Sequence, residues 1–84
     1  MNELLRNLDR VHTTQLGIGR IKKNLSLEQV DDVVSWCRDR ISDPASKITR
    51  KGKNFYVQTE HGIITVNANS YTIITAHQHN RRNA

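Results

Sequence analysis

The feature that most constrains the fold is a set of four short β-rich runs between residues 48 and 77. The runs are enriched in Val, Ile, Thr, Tyr and Phe, and they are separated by Gly52, by the group 60–62 and by the group 67–70. Runs of this kind with turn-forming breaks are typical of β-hairpins. No connection is long enough for a crossover between parallel strands, so an antiparallel meander is expected. The predicted strands are roughly 47–50, 54–59, 62–67 and 71–77.

The alternation of residues within the last predicted strand assigns its side chains to two faces. Ile74 and Ala76 are predicted on one face, and Ile73, Thr75 and His77 on the other. The pattern leaves open which face packs against the rest of the chain.

Two short helices are predicted before the sheet. Apolar residues at helical spacing indicate a first amphipathic helix from Asn2 to Val11, with Asn2 as its N-cap. The hydroxyls of Thr13 and Thr14 then offer a cap for a second helix over residues 15–24.

A third, longer helix is predicted from the capping box formed by Ser26 and Gln29, and it ends near Ser42 because Pro44 cannot continue it. The pair Asp31–Asp32 is assigned to its solvated face. The predicted fold class is therefore α+β, with two short N-terminal helices and one longer helix packed on a four-stranded antiparallel meander sheet. The chain is interpreted as a single domain over 1–84, with a frayed basic tail at 79–84.

The charge of the chain favours a polyanionic partner. Thirteen Lys and Arg residues face eight Asp and Glu residues, which gives a formal net charge of +5. Residues 1–25 hold five bases and two acids, 26–46 two bases and five acids, and 47–84 six bases and one acid. We expect a fold that brings the two basic ends together to gather this charge on one surface, with the acidic middle helix facing away.

The single cysteine and the absence of long apolar runs limit the alternatives. Cys37 has no partner for an intramolecular disulfide or a cysteine zinc cluster, so we expect it to pack as a small apolar side chain. No run approaches the ~18 apolar residues that span a bilayer, and the start of the chain lacks the apolar core of a signal peptide. We therefore expect a cytoplasmic protein without a membrane partner.

Two histidines are candidates for acid–base chemistry. His12 lies at a junction between predicted helices, and imidazole is the natural general acid or base near neutral pH. His77 ends the last predicted strand beside Thr75. The alternative is that each is an ordinary capping, surface or strand-edge residue. The histidine spacings do not match a zinc site, so neither a metal nor another cofactor is expected.

Basic and aromatic side chains are candidates for contacts with a nucleic acid. Clustered bases can neutralise phosphates and stabilise extra negative charge in a transition state, and Tyr56 or Tyr71 could stack on a base. The alternative is that the lysines only keep the surface soluble. The basic residues concerned are Arg20, Lys22 and Lys23 in the second helix and Arg50, Lys51 and Lys53 at the entry to the sheet.

Two segments resemble a small bacterial domain family of unknown function that has about this length. They read HTTQLGIGRIKKNLSL and RKGKNFYVQTEHGIITVNANSYTIITAH, and the resemblance covers nearly the whole chain. More distantly, helices followed by a four-stranded antiparallel sheet, closing on YTIITAH, are similar to the barnase/EndoU/colicin/RelE superfamily of small RNases.

The superfamily resemblance implies metal-independent cleavage of RNA. A base, His12 or His77, would deprotonate the ribose 2′-hydroxyl, Arg20 and Lys51 would stabilise the developing charge, and Thr75 would position a phosphoryl oxygen. The catalytic groups of the superfamily vary widely, and the positions carried over to this chain are His12, Arg20, Lys23, Thr75 and His77.

Many members of the superfamily are toxins of toxin–antitoxin, contact-inhibition or phage systems. The partners that the resemblance implies are RNA and a protein inhibitor or antitoxin, and a homodimer is compatible with it. The competing interpretation is a non-enzymatic nucleic-acid-binding module, or an inhibitor that covers a nucleic-acid groove, in which the same bases contact phosphates and no histidine is required.

Overall fold

In the computed structural model, which describes residues 2–79, three α-helices precede a four-stranded sheet. Neighbouring strands are antiparallel and follow one another in chain order across the sheet, which confirms the predicted α+β meander. The helices are α1 (Glu3–Arg6), α2 (Gln15–Leu25) and α3 (Val33–Ser42), with a 3₁₀ turn at Leu8–Arg10. The strands are β1 (Lys47–Lys51), β2 (Asn54–Thr59), β3 (Gly62–Asn67) and β4 (Ile73–His77).

One face of the sheet, the helix face, forms the core with the helices. Its apolar residues lie side by side on neighbouring strands: Phe55 is opposite Val66, Val57 is opposite Ile64, and Ile64 is opposite Ala76. All five are at most 2% exposed. Removal of such apolar surface from water is the main favourable term in folding. The helices and the segments beside them complete the core with Leu4, Val11, Ile21, Leu25, Val33, Cys37 and Ile41.

The opposite face, the open face, carries the alternate residues of the same strands, and within residues 2–79 the buried helix residues belong to the core on the other face. Strand residues point to the two faces in turn, so the register assigns each side chain. The open-face residues are Lys47, Thr49, Lys51, Asn54, Tyr56, Gln58, Ile63, Thr65, Asn67, Thr75 and His77.

The segment that leads into α2, together with α2 itself, covers the outer edge of β4. Thr13 Oγ1 donates to the carbonyl of Ile73 at 3.0 Å, and Asn24 Nδ2 donates to the carbonyl of Ala76 at 3.0 Å. The backbone of His12 forms a parallel bridge beside these contacts. α2 therefore runs alongside β4 in the same direction, and the covered edge is unavailable for pairing with another strand.

Side-chain caps begin the two N-terminal helices as predicted. Asn2 Oδ1 accepts from Leu4 N at 2.7 Å, and the Thr14 side chain caps α2. The first helix is shorter than predicted, because Asn7 Nδ2 donates to the carbonyl of Glu3 at 2.9 Å and the chain continues as a 3₁₀ turn.

The predicted start of the third helix at Ser26 was wrong. Ser26 has φ 57° and ψ 48°, ends α2, and donates its N–H to the carbonyl of Lys22. Residues 27–30 form a turn, and α3 begins only after Asp32, whose Oδ1 accepts from Ser35 N at 3.0 Å. A Ser-x-x-Gln spacing is a local signal for a helix N-cap. In the structure Ser26 is instead the left-handed residue that terminates α2.

Cys37 on α3 packs in the core as predicted and is fully buried. Burial raises the pKa of its thiol from 9.0 to about 12, although the positive charge of Arg40 acts in the opposite direction.

The predicted pairing of Ile74 with Ala76 on one face was wrong, because β4 contains a β-bulge. The register with β3 shifts between residues 65 and 66, which leaves Ile74 as an extra residue that is 41% exposed. Ile73 and Ala76 are both buried on the helix face, while Thr75 lies on the open face. A bulge reverses the alternation, and the sequence pattern does not mark its position.

His79, the first residue of the predicted tail, contacts the end of β2. Its Nε2 lies 2.6 Å from the carbonyl oxygen of Thr59, which can only accept. Residues 80–84 of the predicted tail lie outside the described residues. Within 2–79, no helix is both long and apolar enough to cross a membrane.

Candidate functional site at the β4 edge

The polar group with the most defined geometry lies where the chain before α2 meets the start of β4. His12 Nδ1 is 2.8 Å from the carbonyl oxygen of Arg10, and because a carbonyl only accepts, Nδ1 carries the hydrogen. In the neutral ring Nε2 is then an acceptor, and Thr72 Oγ1 donates to it across 3.2 Å. His12 N also donates to the carbonyl of Tyr71 at 3.1 Å. The exposed ring is thus held in one tautomer and one orientation.

A second hydroxyl extends this arrangement. Ser70 Oγ lies 2.8 Å from Thr72 Oγ1 and 3.2 Å from Asn67 Oδ1, so its single hydrogen is shared between these two acceptors when Thr72 donates to His12. Asn67 Oδ1 shapes the loop, because it accepts from the N–H groups of Asn69 and Ser70 at 2.8 and 2.9 Å. His12, Thr72 and Ser70 are called the hydroxyl–histidine cluster below.

The backbone between the two hydroxyls is strained. Tyr71 has φ 61°, a left-handed conformation that is rare for a bulky residue and costs on the order of 1–3 kcal/mol. It is held by a hydrogen bond from its own N–H to the carbonyl of Asn67 at 2.8 Å. The turn directs the Tyr71 ring into the core while Ser70 and Thr72 stay together at the surface.

Tyr71, one of the two tyrosines considered for stacking on a nucleic-acid base, has a covered ring in the structure. Its ring is 4% exposed, stacks with Phe55 at a centroid distance of 6.4 Å, and lies 4.7 Å from the Arg10 guanidinium. A base cannot reach a ring covered by these two side chains. Tyr56, the other tyrosine, is half-buried on the open face.

Thr75 and His77, the other predicted catalytic residues of the sheet, lie further along β4 on the open face. The strand extends about 16 Å from Thr72 to His77, at roughly 3.3 Å per residue. His12 and His77 therefore share a face of the sheet but cannot contact the same phosphate.

The predicted bases of α2 lie toward the far end of β4. Asn24 donates to the carbonyl of Ala76, so the last turn of α2 lies near the end of that strand. Lys22–Lys23 directly precede this contact, and Arg20 is exposed one helical turn before it.

The predicted bases at the entry to the sheet lie on different sides of it. Arg50 is on the helix face, with its guanidinium 5.4 Å from the Phe55 ring and 3.8 Å from the Glu3 carboxylate. Lys51 is on the open face, and Lys53 is exposed in the β1–β2 turn. Lys51 and Lys53 are available to a ligand, whereas Arg50 covers the core.

The bases of α2 and those of the β1–β2 turn do not converge on one surface. The β1–β2 turn lies at the end of the sheet where β4 begins, and the last turn of α2 lies where β4 finishes. β1 and β4 are opposite edges, three strand spacings or about 14 Å apart. The basic groups therefore occupy diagonal corners.

The sequence pointed to His12 but not to its contact with the Thr72 hydroxyl. Thr72 comes from a distant part of the chain, and the left-handed turn at Tyr71 separates it from Ser70, whose hydroxyl it contacts in turn. The available local signal was Asn67 three residues before Ser70, a spacing typical of an Asx turn.

Metal-ligating side chains do not cluster in the described part of the chain. Within residues 2–79, no three His, Cys, Asp or Glu side chains are grouped so that they could hold a metal ion.

These features define a small α+β protein with a helix-covered meander and a hydroxyl–histidine cluster at the covered edge of its sheet. The chain belongs to the family described as protein of unknown function (DUF3781), whose model matches residues 5–77. The predicted membership of a domain family of unknown function is confirmed, and the match extends from α1 to the end of β4. Neither the curated proteins nor the solved structures contain a significant match.

Proposed function

We propose that the protein is a metal-independent endoribonuclease in which His12 takes the proton of a ribose 2′-hydroxyl. The observation that carries this proposal is the fixed tautomer of His12, since the contact of Nδ1 with the Arg10 carbonyl leaves Nε2 to accept a hydroxyl proton. A general base needs such a lone pair aimed at a hydroxyl, with an orienting partner on the other nitrogen. In the substrate complex, the 2′-hydroxyl takes the place of the Thr72 hydroxyl.

The reaction is an intramolecular transesterification. The 2′-oxygen forms a bond to the adjacent phosphorus, the bond from phosphorus to the 5′-oxygen breaks, and the 2′-proton moves to His12 Nε2. The imidazolium returns a proton to the leaving 5′-oxygen, directly or through water. The products are a 2′,3′-cyclic phosphate and a 5′-hydroxyl end.

The hydroxyls of Thr72 and Ser70 donate hydrogen bonds to the phosphoryl oxygens in this mechanism. They are neutral donors, which stabilise developing negative charge less than a guanidinium group does. We therefore assign most of the rate enhancement at this site to His12, and general-base catalysis contributes about 10²- to 10⁴-fold.

The fold is consistent with this proposal. Helices followed by a four-stranded antiparallel meander are what the resemblance to the barnase/EndoU/colicin/RelE superfamily implies. In this interpretation the protein is a toxin of a toxin–antitoxin or phage-conflict system. Its induced expression should slow growth, whereas expression of the His12→Ala variant should not.

The test is cleavage of a fluorescein-labelled single-stranded RNA in the presence of EDTA, with the products identified by mass spectrometry. The parent should yield 2′,3′-cyclic phosphate ends, and His12→Ala should reduce the rate by about 10²- to 10⁴-fold. His77→Ala is the matched control, because it removes an exposed histidine from the same face about 16 Å away and should leave the rate near that of the parent. Equal cleavage by His12→Ala, or no cleavage by the parent, overturns the proposal.

A non-enzymatic nucleic-acid-binding module is the second candidate, and the composition of the sheet favours it. From the start of β1 to residue 79 the only acidic residue is Glu60, which lies in the β2–β3 turn. Phosphate contacts alone need no proton transfer. A binder would retain affinity in His12→Ala, lose affinity steeply with salt, and leave the RNA uncut.

A further inference from the structure

The open face contains a row of hydroxyl-bearing residues that crosses the entire sheet. Thr49 on β1 lies opposite Tyr56 on β2, Tyr56 lies opposite Thr65 on β3, and Thr65 lies opposite Thr75 on β4. Thr65 is 5% exposed beneath its neighbours, whereas Thr49 is exposed and Thr75 is half-buried. The face thus presents neutral hydrogen-bonding groups on both sides of one central aromatic ring.

Lysines flank this row on both sides. Lys47 and Lys51, which precede and follow Thr49 by two positions along β1, lie on the same face and are exposed. They are about 13 Å apart along the strand, far enough to contact different phosphates of one nucleic-acid chain. With Glu60 confined to the β2–β3 turn, the strand positions of the open face are free of carboxylates. This charge pattern is complementary to a polyanion.

Tyr56 borders a shallow depression on the open face. It is half-buried, and its hydroxyl accepts from Asn54 Nδ2 at 3.4 Å. A shallow depression lies beside the ring, and an aromatic side chain at such a position can stack on any nucleobase. The depression is lined by Lys47, Thr49, Lys51, Tyr56, Gln58 and Ile63.

We infer that the open face binds single-stranded RNA, with one base stacked on Tyr56 and with phosphates at Lys47 and Lys51. The strand must be unpaired, because bases in a duplex are stacked on one another and cannot reach a side chain on a flat sheet. The hydroxyls of Thr49 and Thr75 then contact base edges or ribose groups.

The same face leads to the proposed catalytic edge, and in this respect the inference rests on the proposed function. Asn54 beside Tyr56 lies opposite Asn67, and Asn67 N donates to the carbonyl of Thr72 at 2.8 Å. Thr72 in turn bridges to His12. An RNA strand that runs from Tyr56 over Asn54 and Asn67 reaches the hydroxyl–histidine cluster at the start of β4.

The experiment measures fluorescence anisotropy with a fluorescein-labelled, fully 2′-O-methylated 12-nucleotide RNA, alone and annealed to its complement. The parent should bind the single strand more tightly than the duplex. Tyr56→Ala should weaken binding by about 5- to 150-fold, the range that the loss of one base–aromatic stack implies, and Tyr56→Phe should retain it. The urea transition of Tyr56→Ala establishes that this variant is folded.

The lysines are tested by a pair of double variants of equal charge. Lys47→Ala/Lys51→Ala should weaken binding and reduce the slope of log affinity against log salt by about 1.4. Lys22→Ala/Lys23→Ala removes the same charge from the last turn of α2, and it should change the affinity and the salt slope less. The inference is overturned if the parent does not bind the probe, if folded Tyr56→Ala binds as the parent does, or if the control pair has the larger effect.

The methylated probe separates this inference from the proposed reaction. It lacks the 2′-hydroxyl, so its binding does not depend on cleavage. Binding that requires Tyr56, together with no cleavage of unmodified RNA, supports the open face and overturns the nuclease. Cleavage that requires His12, together with binding that Tyr56→Ala does not weaken, supports the nuclease and overturns RNA binding by the open face.

Discussion

Truncation of Tyr71 to alanine should destabilise the protein severely, because the ring is part of the core. It is 4% exposed and contacts the Phe55 ring, the Arg10 guanidinium and, through its hydroxyl, the Glu3 carboxylate at 3.3 Å. Removal of a buried aromatic side chain costs about 3–5 kcal/mol. Alanine does not relieve the left-handed backbone, since any L-residue with a Cβ is strained there.

This loss is large compared with the expected stability of the protein. At ~0.05–0.15 kcal/mol per residue, a chain of 84 residues has a free energy of unfolding of about 4–13 kcal/mol. The Tyr71→Ala variant should therefore lose a quarter or more of its stability, and its Tm should fall by at least about 12 °C.

The assay is urea unfolding monitored by the fluorescence of Trp36, the only tryptophan. Tyr56→Ala is the matched control, because it removes the other tyrosine from the half-buried open-face position and should cost less. A Tyr71→Ala variant within about 1 kcal/mol of the parent, well below the expected cost of a buried aromatic, would refute the reasoning. Tyr71→Phe keeps the ring and should bind the methylated RNA like the parent.

Three further perturbations test the fold. Asp32→Ala should cost about 1 kcal/mol in urea unfolding, because Asp32 caps α3. Ser26→Gly should be neutral or stabilising, because Ser26 has a left-handed backbone. The opposite order of the two effects would indicate that Ser26, and not Asp32, is the N-cap of α3. Gly62→Ala should be strongly destabilising by the same measurement, since Gly62 has φ 151° and an added Cβ would collide with the backbone of β4. A urea transition like that of the parent would contradict this geometry. The pKa of Cys37 is raised from 9.0 to about 12 in the folded state, so the thiol of the unfolded chain ionises first as pH rises. The free energy of unfolding should therefore fall between pH 9 and pH 12, by up to about 1.4 kcal/mol per pH unit. Cys37→Ala should lack this component of the pH dependence.

The sheet was predictable because its signals are local. Turn-forming residues bound every strand, and the β2 and β3 predictions coincide with the observed Asn54–Thr59 and Gly62–Asn67. The bulge at Ile74 was not predictable, because it is the pairing with β3 that makes one residue extra.

The start of α3 was mispredicted for a related reason. Ser26 has the residue type and spacing of an N-cap, and only the left-handed backbone that ends α2 shows that it is a C-cap. A side-chain pattern cannot distinguish these roles where one helix closely follows another.

Only the histidine of the candidate site was predictable from the sequence. His12 stood out by its chemistry, but its partner Thr72 is 60 residues away, and the tautomer depends on the carbonyl of Arg10. The wide separation of His12 from His77 follows from their positions at opposite ends of β4, which requires the three-dimensional path of the chain.

An NMR titration tests the central claim, that an RNA strand crosses the open face and reaches His12. The ¹⁵N-labelled protein would be titrated with the 2′-O-methylated single strand, and the amide shifts mapped onto the structure. We predict changes along the row from Thr49 to Thr75 and at His12 and Thr72, with α3 unaffected. Changes that cluster on α3 or around Lys22–Lys23, with the open-face row unchanged, would contradict the account.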